Sequence, residues 1–295
     1  MKVKAEDLQG LKQLETFAGI LYNSENFNNY VRAMQEINHR PRNYLLQLGT
    51  SNPFNPTFGK AVIFVSCNIL SRGRGLPLVL PIDVEQLYLS MCRRWRFVCE
   101  VFSFNIAKSL KYCEIFDCEE LEYLFCFSYT CSFCSSLQNL ESVKLSVLSN
   151  LRFLWKETDT LLSDTLFRLR FVKISSCYSL KTLLTPEIVA RLQSLEKLHV
   201  EYCDELKEIF SVEDKEQMGE ELSGADQSLD NNSSDRTKLF LPKLVSLLLE
   251  QLPQLTNVCR GEMHCNSLQV FRIDVCPKLE ELPRTVPWFQ IDVTP

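Results

Sequence analysis

Apolar residues recur along this chain in steps that fit neither a helix nor a plain strand. In LEKLHVEYCDELKEIF, residues 195–210, the apolar anchors are Leu195, Leu198, Val200, Cys203, Leu206 and Ile209, spaced by 3, 2, 3, 3 and 3 residues. A buried helix face repeats every 3.6 residues and a half-buried strand every 2. The mixed rhythm requires a short strand, a corner, and a return path along the outside of a stack. The same set recurs from Val84 (Leu87, Leu89, Cys92, Trp95, Val98) and from Leu110 (Cys113, Ile115, Cys118, Leu121, Leu124). It recurs again from Leu140, Leu169, Leu244 and Leu268. The seven first anchors are separated by 26, 30, 29, 26, 49 and 24 residues, so a single interval is out of line.

This is the pattern L-x-x-L-x-L-x-x-C/N-x-L of a leucine-rich repeat, in which one repeat cannot bury its apolar face alone and stacked repeats share a continuous core. The expected fold is an α/β repeat solenoid: a horseshoe with a parallel sheet on the concave face and an irregular or short-helical convex face. Residues 61–295 read as the solenoid, with Val62, Phe64, Cys67 and Leu70 as part of an eighth copy. Residues 1–60 read as an irregular N-terminal part of the same region, containing a helix over Phe27–Ile37 capped by Ser24 or Asn26 and a strand at Tyr44–Leu48. Thr185-Pro186-Glu187 predicts a short outer helix over about 186–192, because proline is pre-set for the first helical position. Trp288, Phe289 and Ile291 are candidates to cover the last rung.

In each copy the fourth anchor falls where the backbone leaves the strand. A side chain there is expected to hydrogen-bond main-chain groups of the turn. Cysteine does so weakly while packing as a small hydrophobe. Leu148 and Leu252 stand at this position in two copies, which predicts local irregularity in those rungs.

Between the inward strand anchors lie Tyr88, Glu114, Lys144, Lys173, His199, Leu248 and Arg272, and just after them Ser90, Phe116, Ser146, Ser175, Glu201, Glu250 and Asp274. Alternation sends both sets to the open face, where stacking makes them two adjacent columns. Tyr88, Glu114, Phe116, Lys144, Lys173, His199, Glu201, Glu250, Arg272 and Asp274 are therefore the candidate partner-binding residues, on the kind of curved surface solenoids present to proteins. For any one of these charges taken alone, simple solvation is the commoner explanation.

Charge sharpens the picture in one place. The long interval contains residues 211–238, with eight acids against three bases. Its net charge of −5 equals that of the whole chain (32 bases, 37 acids), so the remainder is neutral. With so few apolar residues this acidic insert is expected to be disordered. A neutral scaffold gives no support for nucleic-acid binding. No apolar run is long enough for a membrane span. The charged start MKVKAEDLQG does not read as a signal peptide, which places the thirteen cysteines as reduced thiols in the cytoplasm.

The blocks LEKLHVEYCDELKEIFSVED, LPKLVSLLLEQLPQLTNVC and SLQVFRIDVCPKLEELP resemble the C-terminal leucine-rich repeats of plant disease-resistance proteins, most closely the coiled-coil, nucleotide-binding class. LKQLETFAGILYNSENFNNYVRAM followed by RPRNYLLQLG is similar to the middle of that repeat region. The resemblance implies a protein-binding module that recognises a pathogen effector or a guarded host protein, or that restrains the receptor's own nucleotide-binding module. The ATPase motif G-x-x-x-x-G-K-[ST] of that module is not found: Gly59-Lys60 is followed by Ala61. The chain thus reads as the repeat portion without its switch. A leucine-rich-repeat adaptor, such as a substrate-recognition subunit of a ubiquitin ligase, is the alternative.

Enzymatic and metal chemistry find little purchase. Cys126, Cys131 and Cys134 form C-x4-C-x2-C, short of the four ligands of a closed zinc site. Cys113 and Cys118, the nearest thiols able to complete it, already serve as rungs, so the segment reads as a cysteine-rich loop. Cys259, His264 and Cys265 form a second, weaker cluster. The three histidines, His39, His199 and His264, stand in no nucleophile context. No catalytic residue, metal or cofactor is expected.

Overall fold

The structure, a computed structural model, describes residues 15–36, 41–50, 53–57, 59–67, 77–102, 108–125, 131, 134, 137–155, 166–211, 238–280, 282–283 and 291–294. Among the described residues eleven strands form one sheet: β1 Thr16–Leu21, β2 Asn43–Leu48, β3 Lys60–Val65, β4 Gln86–Ser90, β5 Tyr112–Phe116, β6 Ser142–Ser146, β7 Phe171–Ser175, β8 Lys197–Glu201, β9 Ser246–Glu250, β10 Val270–Asp274 and β11 Ile291–Thr294. Each pairs in parallel with the next along the chain. This sheet is the concave wall of a leucine-rich-repeat solenoid.

The anchors read from the sequence are the core. In the six copies starting at Val84, Leu110, Leu140, Leu169, Leu195 and Leu244, every anchor is buried. In the last copy, Cys276, Leu279 and Leu282 are only partly covered. The outer side is more regular than expected. Three-residue strands pair in parallel there: Tyr123–Phe125 with Phe153–Trp155, Glu208–Phe210 with both Thr182–Leu184 and Asn257–Cys259, and Lys238–Phe240 with Glu262–His264. Helix α1, Ser24–Glu36, buries Phe27, Tyr30, Val31 and Met34. Its cap is Asn23 rather than Ser24 or Asn26: the Asn23 Oδ1 accepts the Asn26 N–H at 2.8 Å. Helix α2, Pro186–Val189, starts after Thr185 as expected, but the threonine side chain makes no capping hydrogen bond.

One feature recurs after each strand from β3 to β10. The residue after the strand adopts a left-handed conformation: Ser66, Met91, Asp117, Val147, Ser176, Tyr202, Gln251 and Val275 all have φ between 50° and 58°. That conformation aims the N–H at the next strand's last carbonyl. Ser66 donates to Ser90 O (2.9 Å), Met91 to Phe116 O (3.1 Å), Asp117 to Ser146 O (3.0 Å), Ser176 to Glu201 O (3.1 Å) and Tyr202 to Glu250 O (3.1 Å). The following anchor then reaches back toward the strand's last carbonyl: Cys92 Sγ donates to Ser90 O (3.4 Å) and Cys203 Sγ to Glu201 O (3.4 Å). Burial pushes the Cys92 thiol well above its usual value and keeps it a neutral donor.

The irregularity expected at Leu148 and Leu252 is not found. Val147 and Gln251 keep φ 58° and 54°, and their N–H groups reach Ser175 O at 3.0 Å and Asp274 O at 2.8 Å. The backbone bond makes the turn, and the weak thiol bond only accompanies it. The long interval does not interrupt the sheet either, since β8 and β9 pair in full register across it. Lys238, counted with the insert, instead opens the outer strand Lys238–Phe240; residues 212–237, like Ile37, Leu70, Trp288 and Phe289, lie outside the described residues.

Two predictions follow from backbone strain. Val275 holds a β-branched residue at φ 50° with 37% of its surface exposed. Val275→Asn should raise stability by about 1 kcal/mol, read as a higher denaturation midpoint, because asparagine tolerates this region better. After β2 the corresponding residue is Gly49, at φ +96°, where an added Cβ would lie 2.0 Å from Val65 O. Gly49→Ala should cost more than about 2 kcal/mol on the same measurement.

Candidate functional site

Parallel register turns the two predicted rows into continuous columns. Tyr88, Glu114, Lys144, Lys173, His199, Leu248 and Arg272 are successive partners across β4–β10, as are Ser90, Phe116, Ser146, Ser175, Glu201, Glu250 and Asp274. Strands about 4.8 Å apart hold neighbouring side chains within contact reach.

The middle of the face is an ion network. Lys173 Nζ lies 2.9 Å from Glu201 Oε1, and His199 Nε2 lies 3.0 Å from Glu201 Oε2 and 3.8 Å from Glu250 Oε2. The imidazole sits between the two carboxylates, but its Nε2 makes no well-directed hydrogen bond. Burial alone would raise the Glu201 carboxyl. The Lys173 hydrogen bond and the His199 and Lys173 charges outweigh it and hold the carboxyl below its ordinary value. Arg272 is exposed and Asp274 half-buried at the C-terminal edge.

Toward the N-terminal end the face is not open, which corrects the placement of Tyr88. Its ring is 3% exposed, with Phe54 from the 53–57 loop at 5.1 Å and Tyr112 at 5.3 Å. Phe54, Ala61, Ile63, Val65 and Tyr88 form a second small core on this side of the sheet. The continuous apolar run of β3 reflects it, because a strand covered on both faces loses its alternation. The Tyr88 hydroxyl donates to Gln86 Oε1 at 2.8 Å, and its pKa is pushed up to about 12 by burial and the Glu114 charge. Ser90, in the second column, is also buried.

A third column contributes what the sequence reading left out. Tyr112 and Phe171 stand two residues before Glu114 and Lys173 and face the same way. Lys144 Nζ lies 5.4 Å from the Tyr112 ring centre and 6.0 Å from that of Phe171, within cation–π range. The Tyr112 hydroxyl hydrogen-bonds Glu114. Extending the alternation one step back along each strand would have found both rings. Together Phe54, Tyr88, Lys111, Tyr112, Glu114 and Lys144 line a cleft of about 500 Å³. The face therefore offers rigid aromatic edges and paired charges, the chemistry by which one protein recognises another.

The cysteine clusters separate. Cys126 lies outside the described residues, but Cys131 and Cys134 meet Cys99, a residue the sequence reading did not include. Cys259 and Cys265 are buried, His264 stacks on Phe240 at 4.8 Å, and the three do not converge as a ligand set among the described residues.

The lowered Glu201 pKa carries a pH prediction. A carboxyl depressed in the folded state stabilises above its unfolded value and loses that contribution as acid protonates it. Glu201→Gln should therefore cost about 1 kcal/mol at neutral pH. The gap to the unsubstituted protein should close as pH falls below 4.5, read from denaturation midpoints across pH.

The sequence matches the family described as plant disease resistance protein RPS2-like, leucine-rich repeats, over residues 83–203 and 139–285. The probable disease resistance protein At4g27220 of Arabidopsis thaliana is 29% identical over 128 residues, covering 43% of this chain and 12% of that protein. The disease resistance protein At4g27190 of the same plant is 25% identical over 166 residues, 52% of this chain and 14% of that protein. The chain thus spans a small part of the length of the curated relatives it matches. Among solved structures, the leucine-rich repeat domain of the type III effector XopL aligns over 80% of this chain and 77% of that one, with a TM-score of 0.43 and 15% identity. With matched spans that together run from residue 83 to 285, and with the repeat geometry described above, the chain belongs to the leucine-rich-repeat family of RPS2-like plant disease resistance proteins.

Proposed function

We propose that this chain is the non-catalytic recognition module of a plant immune receptor acting in the cytoplasm, and that the face centred on Lys144, Lys173 and His199 is where it binds a protein partner. The observation that carries this reading is the register: five successive strands, β5–β9, place aromatic, basic and acidic side chains in contact on the open side of a rigid sheet. Rigid placement lowers the ordering cost of association, so such a face can bind without rearranging. The partner is a pathogen effector, a guarded host protein, or the nucleotide-binding module of the receptor itself. The family relation supports the last because that module is implied to share a chain with repeats of this kind. Among the described residues no helix is long and apolar enough to cross a membrane, in keeping with a partner met in solution.

The test is a pull-down of separately expressed nucleotide-binding module, and in parallel of candidate effectors, by the full chain. Lys144→Ala, Lys173→Ala and His199→Ala combined should weaken capture at least about tenfold, equivalent to 1.4 kcal/mol. Raising salt should weaken the unsubstituted complex more than the variant. Binding unchanged by the triple substitution would remove this face from the proposal.

A further inference from the structure

The repeat frame explains most of the thiols. Cys67, Cys92, Cys118, Cys177, Cys203 and Cys276 hold the turn position and donate to main-chain carbonyls. Cys113 points into the core from β5. Cys99, Cys131 and Cys134 occupy neither a turn position nor a strand of the sheet: Cys134 is buried in the core, with Cys99 and Cys131 packed against it. Cys99 sits in a 3-10 turn, Val98–Glu100, and Cys131 and Cys134 belong to the following coil, beyond β5. Folding nevertheless brings their three Sγ atoms within 4.8 Å of one another.

Three sulfur atoms confined to that distance can be drawn onto one zinc ion. With Zn–S bonds near 2.3 Å, tetrahedral geometry sets sulfur atoms about 3.8 Å apart. A disulfide needs sulfur atoms about 2.05 Å apart and would leave the third thiol out. The Cys134 N–H donates to Cys131 Sγ at 3.4 Å, a contact that ties the two ends of this Cys-x-x-Cys segment together. Cys134 is buried against the core, while Cys99 and Cys131 are half-buried, so the cluster has both a fixed floor and an opening for an ion. The other convergent set, His199 with Glu201 and Glu250, is less suited to a divalent cation. There the Lys173 ammonium already neutralises Glu201 from 2.9 Å.

We propose that Cys99, Cys131 and Cys134 form a zinc site that clamps two successive coils together, with water or one further donor in the fourth position. Each thiol releases its proton on coordination, so affinity falls as pH falls. Binding to the folded chain alone raises its stability by linkage.

The full chain, reduced and stripped with chelator, is titrated with Co2+ as a spectroscopic stand-in for zinc. One equivalent should produce thiolate-to-cobalt charge-transfer absorption, Zn2+ should displace it, and Zn2+ should raise the thermal midpoint by several degrees. Cys99→Ser and Cys131→Ser should each abolish both effects, and Cys259→Ser should retain them. Should the serine variants fail to fold, the unsubstituted chain decides: bound Zn2+ must slow alkylation of Cys99 and Cys131 but not of half-buried Cys276. No saturable cobalt band, a band that survives both substitutions, or alkylation of Cys99 and Cys131 indifferent to zinc would overturn the proposal.

Discussion

The stack depends on one backbone event repeated in coil after coil from β3 onward. A residue forced into the left-handed region turns the chain out of the sheet and hands its N–H to the next strand's final carbonyl. Eight non-glycine residues accept this conformation, two of them valines. The local cost, of order 1–2 kcal/mol per residue, is tolerable because the stack over-determines each turn. Six buried anchors below and a strand on either side leave no competing arrangement.

The same constraint fixes the binding face. Once the turn sets strand register, side chains at equivalent positions lie beside one another whatever their chemistry. Glu201 is shared between Lys173 on the preceding strand and His199 two residues back on its own strand. Lys144 lies over rings from the strands on both sides. These are partly buried interactions on a stiff surface, worth more than the median exposed ion pair. They fix side chains that would otherwise lose rotamer freedom on binding.

Tolerance of the long acidic insert has the same origin. Loop-closure entropy grows only slowly with length, so an added excursion costs little when the strands on either side already pair. β8 and β9 meet residue for residue across 44 intervening positions, from 202 to 245. The negative charge carried there leaves the scaffold itself neutral.

The sequence by itself determined the coil. Spacings of 3, 2, 3, 3 and 3 are incompatible with a lone helix or strand, and alternation within five-residue strands assigned inward and outward positions for β5 through β10. The two columns were legible for that reason, because a parallel ladder without register shifts converts sequence position directly into neighbourhood. What only the tertiary structure decided involves segments outside that periodicity. The loop at 53–57 folds over the sheet and buries Tyr88, although the strand pattern assigns that side chain to solvent. The rungs at Leu148 and Leu252 stay regular because a main-chain hydrogen bond, invisible in side-chain identity, holds the turn. Cys99 meets Cys131 and Cys134 because one coil is stacked on the next, and stacking joins residues more than thirty positions apart that share no motif.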